Sequence, residues 1–503
     1  MENSSDIKEQ LIKNGGWGIV SSFLNRIGGF ILTILISRML MPEDFGRYSI
    51  IMTVVLFFIT LFELGINQTL IRYISLEINK NKEKATAHFK YLFKVKFILS
   101  SCASLILLIS SYILSSYLFK DKNLFIPLAI LSFYLFFISL TLFFESLFYV
   151  KKNVKYISIK ELFSIIFRIA FILVIGFFIG SDVKVIWICI SLVFFSLFSF
   201  IYVFFISKKK YPSLFKPGNY FFNKKHILKF MFFLNLQNVS LLVLSNITLI
   251  LLGTFLNSEF VGYYNLAWAL IVGIISLLFS FSPIFLAAFT KSDENSFQLI
   301  LKKIFKMFLL LALPIAFGLS FFSKFFILEL YGENYLLASI PLSILAFSIP
   351  FIFGVNLSLD CFFAKNKQRN FSRVLVFFSI ISAVLNYFII KLSSSDSPEH
   401  TLIIVSIINL TIWISCFLSA LYLLKKELKT QIIAPWILKS LFSCGIMYFV
   451  LWISLKIIKD LTLIKGVLLI IFGASIYIIS LFLIGGIKKE EIRWIYSLVK
   501  NKK

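Results

Sequence analysis

A few ionisable and amide side chains interrupt stretches built otherwise from Ile, Leu and Phe, and these are the residues with chemistry to offer. They are Arg26 and Arg168, the carboxylates Glu63, Glu145 and Asp360, and the amides Asn25, Asn235 and Asn238. A charge at the centre of a membrane helix costs about 2.5–3.5 kcal/mol on insertion scales, so each position calls for a reason. Two guanidiniums suit a pyrophosphate, which they can engage bidentately. Pairing with an intramembrane carboxylate, or snorkelling to the headgroups, would satisfy the same arginines structurally. Buried carboxylates in transporters carry coupling protons or Na⁺, and they equally hold neighbouring basic side chains. Glu63 and Asn67 are four apart and share a face of one helix, as expected for an unbroken span. Asn235 and Asn238 also share a face, where amides either hydrogen-bond ligand hydroxyls such as those of a sugar or glue helices together.

The elements that must position these groups are long apolar helices. The chain has 503 residues, 59% hydrophobic and 15% charged, with a mean hydropathy of +0.93. A soluble domain carries about 25% charged residues. Stretches longer than the roughly 18 apolar residues that mark a membrane helix recur along the chain. They predict an all-α integral membrane protein with fourteen spans, the first at 17–40 and the last at 463–485. The polar start, "MENSSDIKEQLIKNGG", lacks the short apolar core of a removable signal peptide, so the first span is expected to act as the insertion signal.

A formal charge of +26 would suggest nucleic acid in a soluble chain. Its distribution points elsewhere. With the N-terminus in the cytoplasm, the inner segments hold 37 of the 50 Lys and Arg and the outer segments nine. That asymmetry obeys the positive-inside rule for an even number of spans with both termini cytoplasmic. The basic charge is therefore a topology signal, reinforced by anionic inner-leaflet lipid, and no nucleic-acid partner is expected.

Cys102, Cys189, Cys361, Cys416 and Cys444 all fall in apolar stretches without C-x-x-C spacing and read as packing residues. His88, His226 and His400 are scattered, so no metal site is expected. Neither G-x-x-x-x-G-K-[ST] nor G-x-G-x-x-G occurs, and no cofactor is expected. Every loop is too short to fold into a soluble domain. Catalytic residues are not expected, and the work must happen inside the bilayer.

One polar break recurs. "LMPEDFGRYSI" (40–50) aligns without gaps with "LNSEFVGYYNL" (256–266) at an offset of 216, pairing Leu40 with Leu256, Glu43 with Glu259, Gly46 with Gly262 and Tyr48 with Tyr264. "FESLFYVKKN" (144–153) aligns with "LDCFFAKNKQ" (359–368) at an offset of 215, placing Glu145 on Asp360. Spans 1–6 and 7–12 therefore read as two related six-helix lobes with a pseudo-two-fold axis along the membrane normal, and a substrate path between them. The lobes are expected at 1–220 and 221–430, with 431–503 an appended helical hairpin and basic tail. In the break itself, Pro42 suits the first turn of a helix, and Glu43 and Asp44 complement that turn's positive dipole end. Gly46 permits close helix approach, and Tyr48 can join an interfacial aromatic belt.

"GIVSSFLNRIGGFILTILISRMLMPEDFGRYSI" resembles the N-terminus of bacterial polysaccharide-unit flippases, the Wzx-like transporters. Their pattern Arg-x-Leu-x-Pro-x-x-Phe-Gly-x-Tyr is matched by Arg38, Leu40, Pro42, Phe45, Gly46 and Tyr48. "LNSEFVGYYNLA" and "ILELYGENYLLA" look like that family's second-lobe connectors. The resemblance implies the fold of the multidrug/oligosaccharidyl-lipid/polysaccharide exporter superfamily, which also holds multidrug extruders and peptidoglycan-precursor flippases. It implies a lipid-linked oligosaccharide on an undecaprenyl-pyrophosphate carrier, O-antigen-like or capsular, moved across the bacterial cytoplasmic (inner) membrane. Expected partners are that substrate, membrane lipid, H⁺ or Na⁺ for coupling, and a polysaccharide polymerase with its chain-length machinery. A membrane polymerase or ligase is the alternative of another class. The short outer loops argue against it.

Overall fold

The computed structural model describes residues 26–486 apart from 79, 151–152, 181–182, 217–223, 366, 395–396, 431–435 and 458–461. Among the described residues helix follows helix and there is no strand. The first, α1, covers 26–39. Then come α2 (Pro42–Glu63), α3 (Ile66–Glu77), α4 (Lys82–Ile113), α5 (Phe125–Val150), α6 (Lys155–Phe178), α7 (Lys184–Lys210), α8 (Lys224–Phe255) and α9 (Ser258–Leu278). The rest are α10 (Ser282–Lys291), α11 (Glu294–Phe321), α12 (Ser323–Tyr331), α13 (Ser339–Leu345), α14 (Ile349–Ala364), α15 (Gln368–Ser393), α16 (Pro398–Leu428), α17 (Trp436–Ile457) and α18 (Leu463–Leu483).

Thirteen described helical stretches are long and apolar enough to cross a membrane, from Pro42–Glu63 to Leu463–Leu483. They coincide with the second to fourteenth expected spans. The first, 17–40, begins outside the described residues, and α1 supplies its remainder. Hydropathy located the helices better than it measured them. α4 begins at Lys82, well before the expected 97, because Asn81 caps it: the Lys84 backbone N–H donates to Asn81 Oδ1 at 3.0 Å. Its polar first turns continue the same helix below the apolar stretch.

The second span, expected as one helix over 47–70, breaks after Glu63. Leu64 (φ 47°) and Gly65 (φ 66°) are both left-handed, and the chain restarts as α3. Glycine adopts that conformation freely. A Cβ on Gly65 would meet the Leu234 side chain and the Met231 carbonyl of α8, so the break is packed directly against its neighbour. Glu63 and Asn67 lie on opposite sides of this break and so do not share a helical face.

By packing, the chain forms two compact units, residues 1–280 with 375–401, and residues 281–374 with 402–503. In the first, a cluster of aromatic rings on α4, α5 and α7 holds one end together: Phe89, Phe143, Phe144 and Phe148 are all essentially buried. α8 and α9 pack in this unit against α2. In the second, α17 and α18 lie on α11, fixed by the Tyr477 hydroxyl, which donates to the Leu310 carbonyl at 2.8 Å and sits 2.8 Å from Ser440 Oγ. Gly466 lets α18 meet the Phe325 ring of α12, where a Cβ would overlap it. The hairpin is thus an integral part of the second unit.

The contact of α2 on α9, close enough for backbone to meet backbone, joins the two copies of the recurring break. A Cβ on Gly46 would overlap the Ser258 carbonyl oxygen, and one on Gly262 the Pro42 carbonyl oxygen. At the offset of 216, Ser258 is the counterpart of Pro42 and Gly262 that of Gly46, so the contact is reciprocal. Asn265 Nδ2 donates to Ser49 Oγ at 2.7 Å, again one residue meeting its own counterpart. Reciprocal contact of this kind is what two related elements make when packed about a two-fold axis. The expected close approach at Gly46 is therefore made to α9.

Candidate functional site

α1 and α6 run side by side in the same direction in the first unit. Gly28 faces Ile165, and Gly176 faces Met39, so the two pairs keep one register. That register sets Arg26 level with residue 163, and Arg168 about 8 Å farther along the axis at 1.5 Å per residue. Each arginine has a buried nitrogen with no hydrogen-bond partner among the described residues, Nη1 of Arg26 and Nε of Arg168. Neither has a carboxylate within 4.0 Å among the described residues. Arg168 lies within electrostatic range of the Tyr48 hydroxyl on α2, which in turn feels Tyr134 on α5. Tyr48 thus faces other helices of its unit. Two cations with unspent donors on neighbouring helices can bind an anion. An unpartnered buried donor costs about 1–3 kcal/mol, which such an anion would recover.

The carboxylates divide into different environments. Glu145 on α5 is buried and accepts from Lys160 Nζ at 2.6 Å, and the same ammonium is 2.6 Å from Glu161. Its repeat counterpart, Asp360 on α14, accepts only a hydroxyl, from Ser282 Oγ at 2.5 Å, with no cation within 4.0 Å among the described residues. At the offset of 215 the counterpart of Lys160 is Leu375. So Glu145 is neutralised locally, whereas Asp360 has no cationic partner among the described residues. Glu63, the last residue of α2, lies within electrostatic range of Lys96 on α4.

Of the three amides one has a structural contact. Asn235 Nδ2 donates to the Leu61 carbonyl at 3.3 Å, closing the last turn of α2 next to its break, while its Oδ1 is buried with no partner among the described residues. Asn238 is half-buried on the same helix. Asn25 lies outside the described residues.

Lys96, which precedes the third expected span at 97–118 in the sequence, is only 1% exposed. The signal was present: Ala85, Phe89, Leu92, Ser100, Ala103 and Leu107, all buried, recur at the three-and-four spacing of one helical stripe, and Lys96 falls on it. Arg47 lies in the polar break itself. It bonds Glu43 at 2.5 Å, Asp44 at 2.8 Å and Asp121 at 2.7 Å, and Asp121 also accepts from Ser258 Oγ at 3.3 Å. The recurring break is therefore an ionic knot joining α2, the α4–α5 turn and α9. Glu43 and Asp44 do sit in the first turn of α2, as expected.

Comparison with known proteins places this arrangement. Residues 11–289, more than half of the chain, match the model of the family described as "Polysaccharide biosynthesis protein". An "Uncharacterized membrane protein in cps region" of Klebsiella pneumoniae is 23% identical over 499 residues, covering 95% of this chain and 96% of its own length. The fold is similar to that of the lipid II flippase MurJ in an inward closed conformation, with a TM-score of 0.72 at 19% identity over 92% of this chain and 97% of that one. It is also similar to an inward-facing multidrug resistance transporter of the MATE family, with a TM-score of 0.63 at 14% identity over 81% and 95% of the two chains. The chain belongs to the polysaccharide biosynthesis protein family and is built on the all-helical fold shared by those flippase and multidrug-transporter structures.

Proposed function

We propose that this protein moves a lipid-linked oligosaccharide, carried on undecaprenyl pyrophosphate, from the inner to the outer leaflet of the bacterial cytoplasmic membrane. Sugars and a pyrophosphate cannot cross hydrocarbon unaided, because each unpaired polar group costs several kcal/mol there. The observation that carries the reading is the pair of partly buried arginines, Arg26 and Arg168, on adjacent helices, each with one buried donor nitrogen that has no partner among the described residues. They would hold the pyrophosphate while the lipid tail stays in the bilayer, and Asn25 and Asn238 would meet sugar hydroxyls. The two related lobes, 1–220 and 221–430, would rock so that the head group faces each side in turn. Glu63 and Asp360 would couple H⁺ or Na⁺. Of these Asp360 is the stronger, since it has no cationic partner among the described residues. The family match and the cps-region relative favour a polysaccharide precursor. The amphipathic cations of a multidrug extruder would be repelled by the same arginines.

The test is complementation of a deletion strain by Arg26→Ala and Arg168→Ala at wild-type protein level. Each should reduce surface polysaccharide at least tenfold, with Arg26→Lys in between because it keeps the charge and loses the bidentate fork. Full complementation by both alanine variants would return the arginines to a structural role.

A further inference from the structure

Arg38, which opens the family-like motif, has no part in the site above. It lies instead at the mouth of a groove of about 340 Å³ between the end of α1 and the end of α6. The groove takes a second cation, Lys184, from the start of α7. Only nine of the 50 Lys and Arg are expected on this cation-poor side of the bundle, and two of them converge here. The wall is apolar: Leu35 and Met39 come from α1, Ile172 and Leu173 from α6. Gly176 lets Met39 close against α6, and Phe177, 84% exposed, continues the wall along the membrane-spanning surface.

Lys184 is also placed against the local field. It is the first residue of α7, where the positive end of a helix disfavours a cation, and Val183 before it offers no side-chain cap. An anion at this spot would lie beside the ammonium, the guanidinium and the positive end of the helix together. The apolar wall leading away from it suits a hydrocarbon chain, and a water-soluble anion would leave that wall bare.

We infer that the α1–α6 groove is a docking site for a lipid with a phosphate headgroup, the phosphate between Arg38 and Lys184 and a chain along Ile172, Leu173 and Phe177. The site is separate from Arg26 and Arg168, and its occupancy does not depend on what those residues carry. It gives a phosphate-headed lipid a place to rest at the cation-poor surface, beside the end of the helix that also bears Arg26.

The experiment uses the full chain, purified in a neutral detergent and titrated with phosphatidylglycerol, with bound lipid counted by native mass spectrometry. Diacylglycerol and inorganic phosphate serve as comparison probes. The wild type should retain phosphatidylglycerol, bind diacylglycerol far more weakly, and lose little of the lipid to inorganic phosphate. The double variant Arg38→Gln/Lys184→Gln should bind phosphatidylglycerol about 30-fold more weakly, at roughly a factor of five per surface cation. Arg38→Lys/Lys184→Arg keeps both charges and should stay close to wild type, which separates loss of charge from loss of fold. Equal binding by the neutral double variant would overturn the inference, as would equal binding of diacylglycerol. Displacement by inorganic phosphate alone would also overturn it, in favour of a soluble-anion site.

Discussion

Glu145 and Asp360, matched at the offset of 215, sit in different ionic surroundings. Lys160 answers Glu145, and its counterpart Leu375 offers Asp360 nothing ionic. Truncation should reveal the difference. Lys160→Met strands two carboxylates and should cost about 3–5 kcal/mol, whereas Glu145→Gln leaves Lys160 on Glu161 and should cost about 1–3 kcal/mol. Thermal unfolding of the two variants in detergent checks the order, and equal losses would contradict the shared pairing. Asp360→Asn keeps an acceptor for Ser282 and should fold normally while losing the dependence of transport on an ion or proton gradient. Unchanged ion dependence, measured in reconstituted vesicles, would remove Asp360 from the coupling role. At this scale the sequence was legible for residue type and poor for partnership. Arg26 and Arg168 announce themselves as cations in apolar runs. That Asn235 caps α2 at Leu61, and that Lys96 is buried opposite Glu63, depends on contacts between helices far apart in the chain.

Among the elements, α2 and α9 carry the clearest constraint. Their backbones touch at Gly46 and Gly262, and a methyl group there meets a carbonyl oxygen, which cannot step aside as a side chain could. Gly46→Ala and Gly262→Ala should each destabilise the protein by about 1–3 kcal/mol or more. Gly29→Ala, in α1 where an added Cβ meets nothing within 4 Å among the described residues, should be neutral or stabilising by up to about 1 kcal/mol. Melting temperatures of the three variants test this, and a harmless Gly46→Ala would mean the α2–α9 contact is looser than it stands here. Span positions were legible because apolar length is a local property of sequence. The break after Glu63 was hidden. Leu64 has no preference for the left-handed region, and its conformation is held by the packing of α8 on Gly65.

For the whole molecule, the charge asymmetry and the repeat were the strongest signals in the sequence, since both average over many residues. The repeat is met in space by the reciprocal Gly46–Ser258 and Gly262–Pro42 contacts and by Asn265 on Ser49. The boundaries of the packed units were less legible, because 375–401 joins the first unit from the far end of the chain. An anionic head group moving outward from a negative interior gains about 2.3 kcal/mol per charge per 100 mV, so transport in vesicles should accelerate with an inside-negative potential. Rates indifferent to both potential and ion gradients would contradict that driving force. The most direct test of the proposed flippase activity is a leaflet-resolved assay of lipid-linked glycan after depletion of the protein. The account predicts that the glycan accumulates on the inner leaflet and is cleared when the wild-type protein, but not Arg26→Ala, is restored. Normal appearance of the glycan on the outer leaflet, with only polymer length disturbed, would contradict it and point to a polymerase.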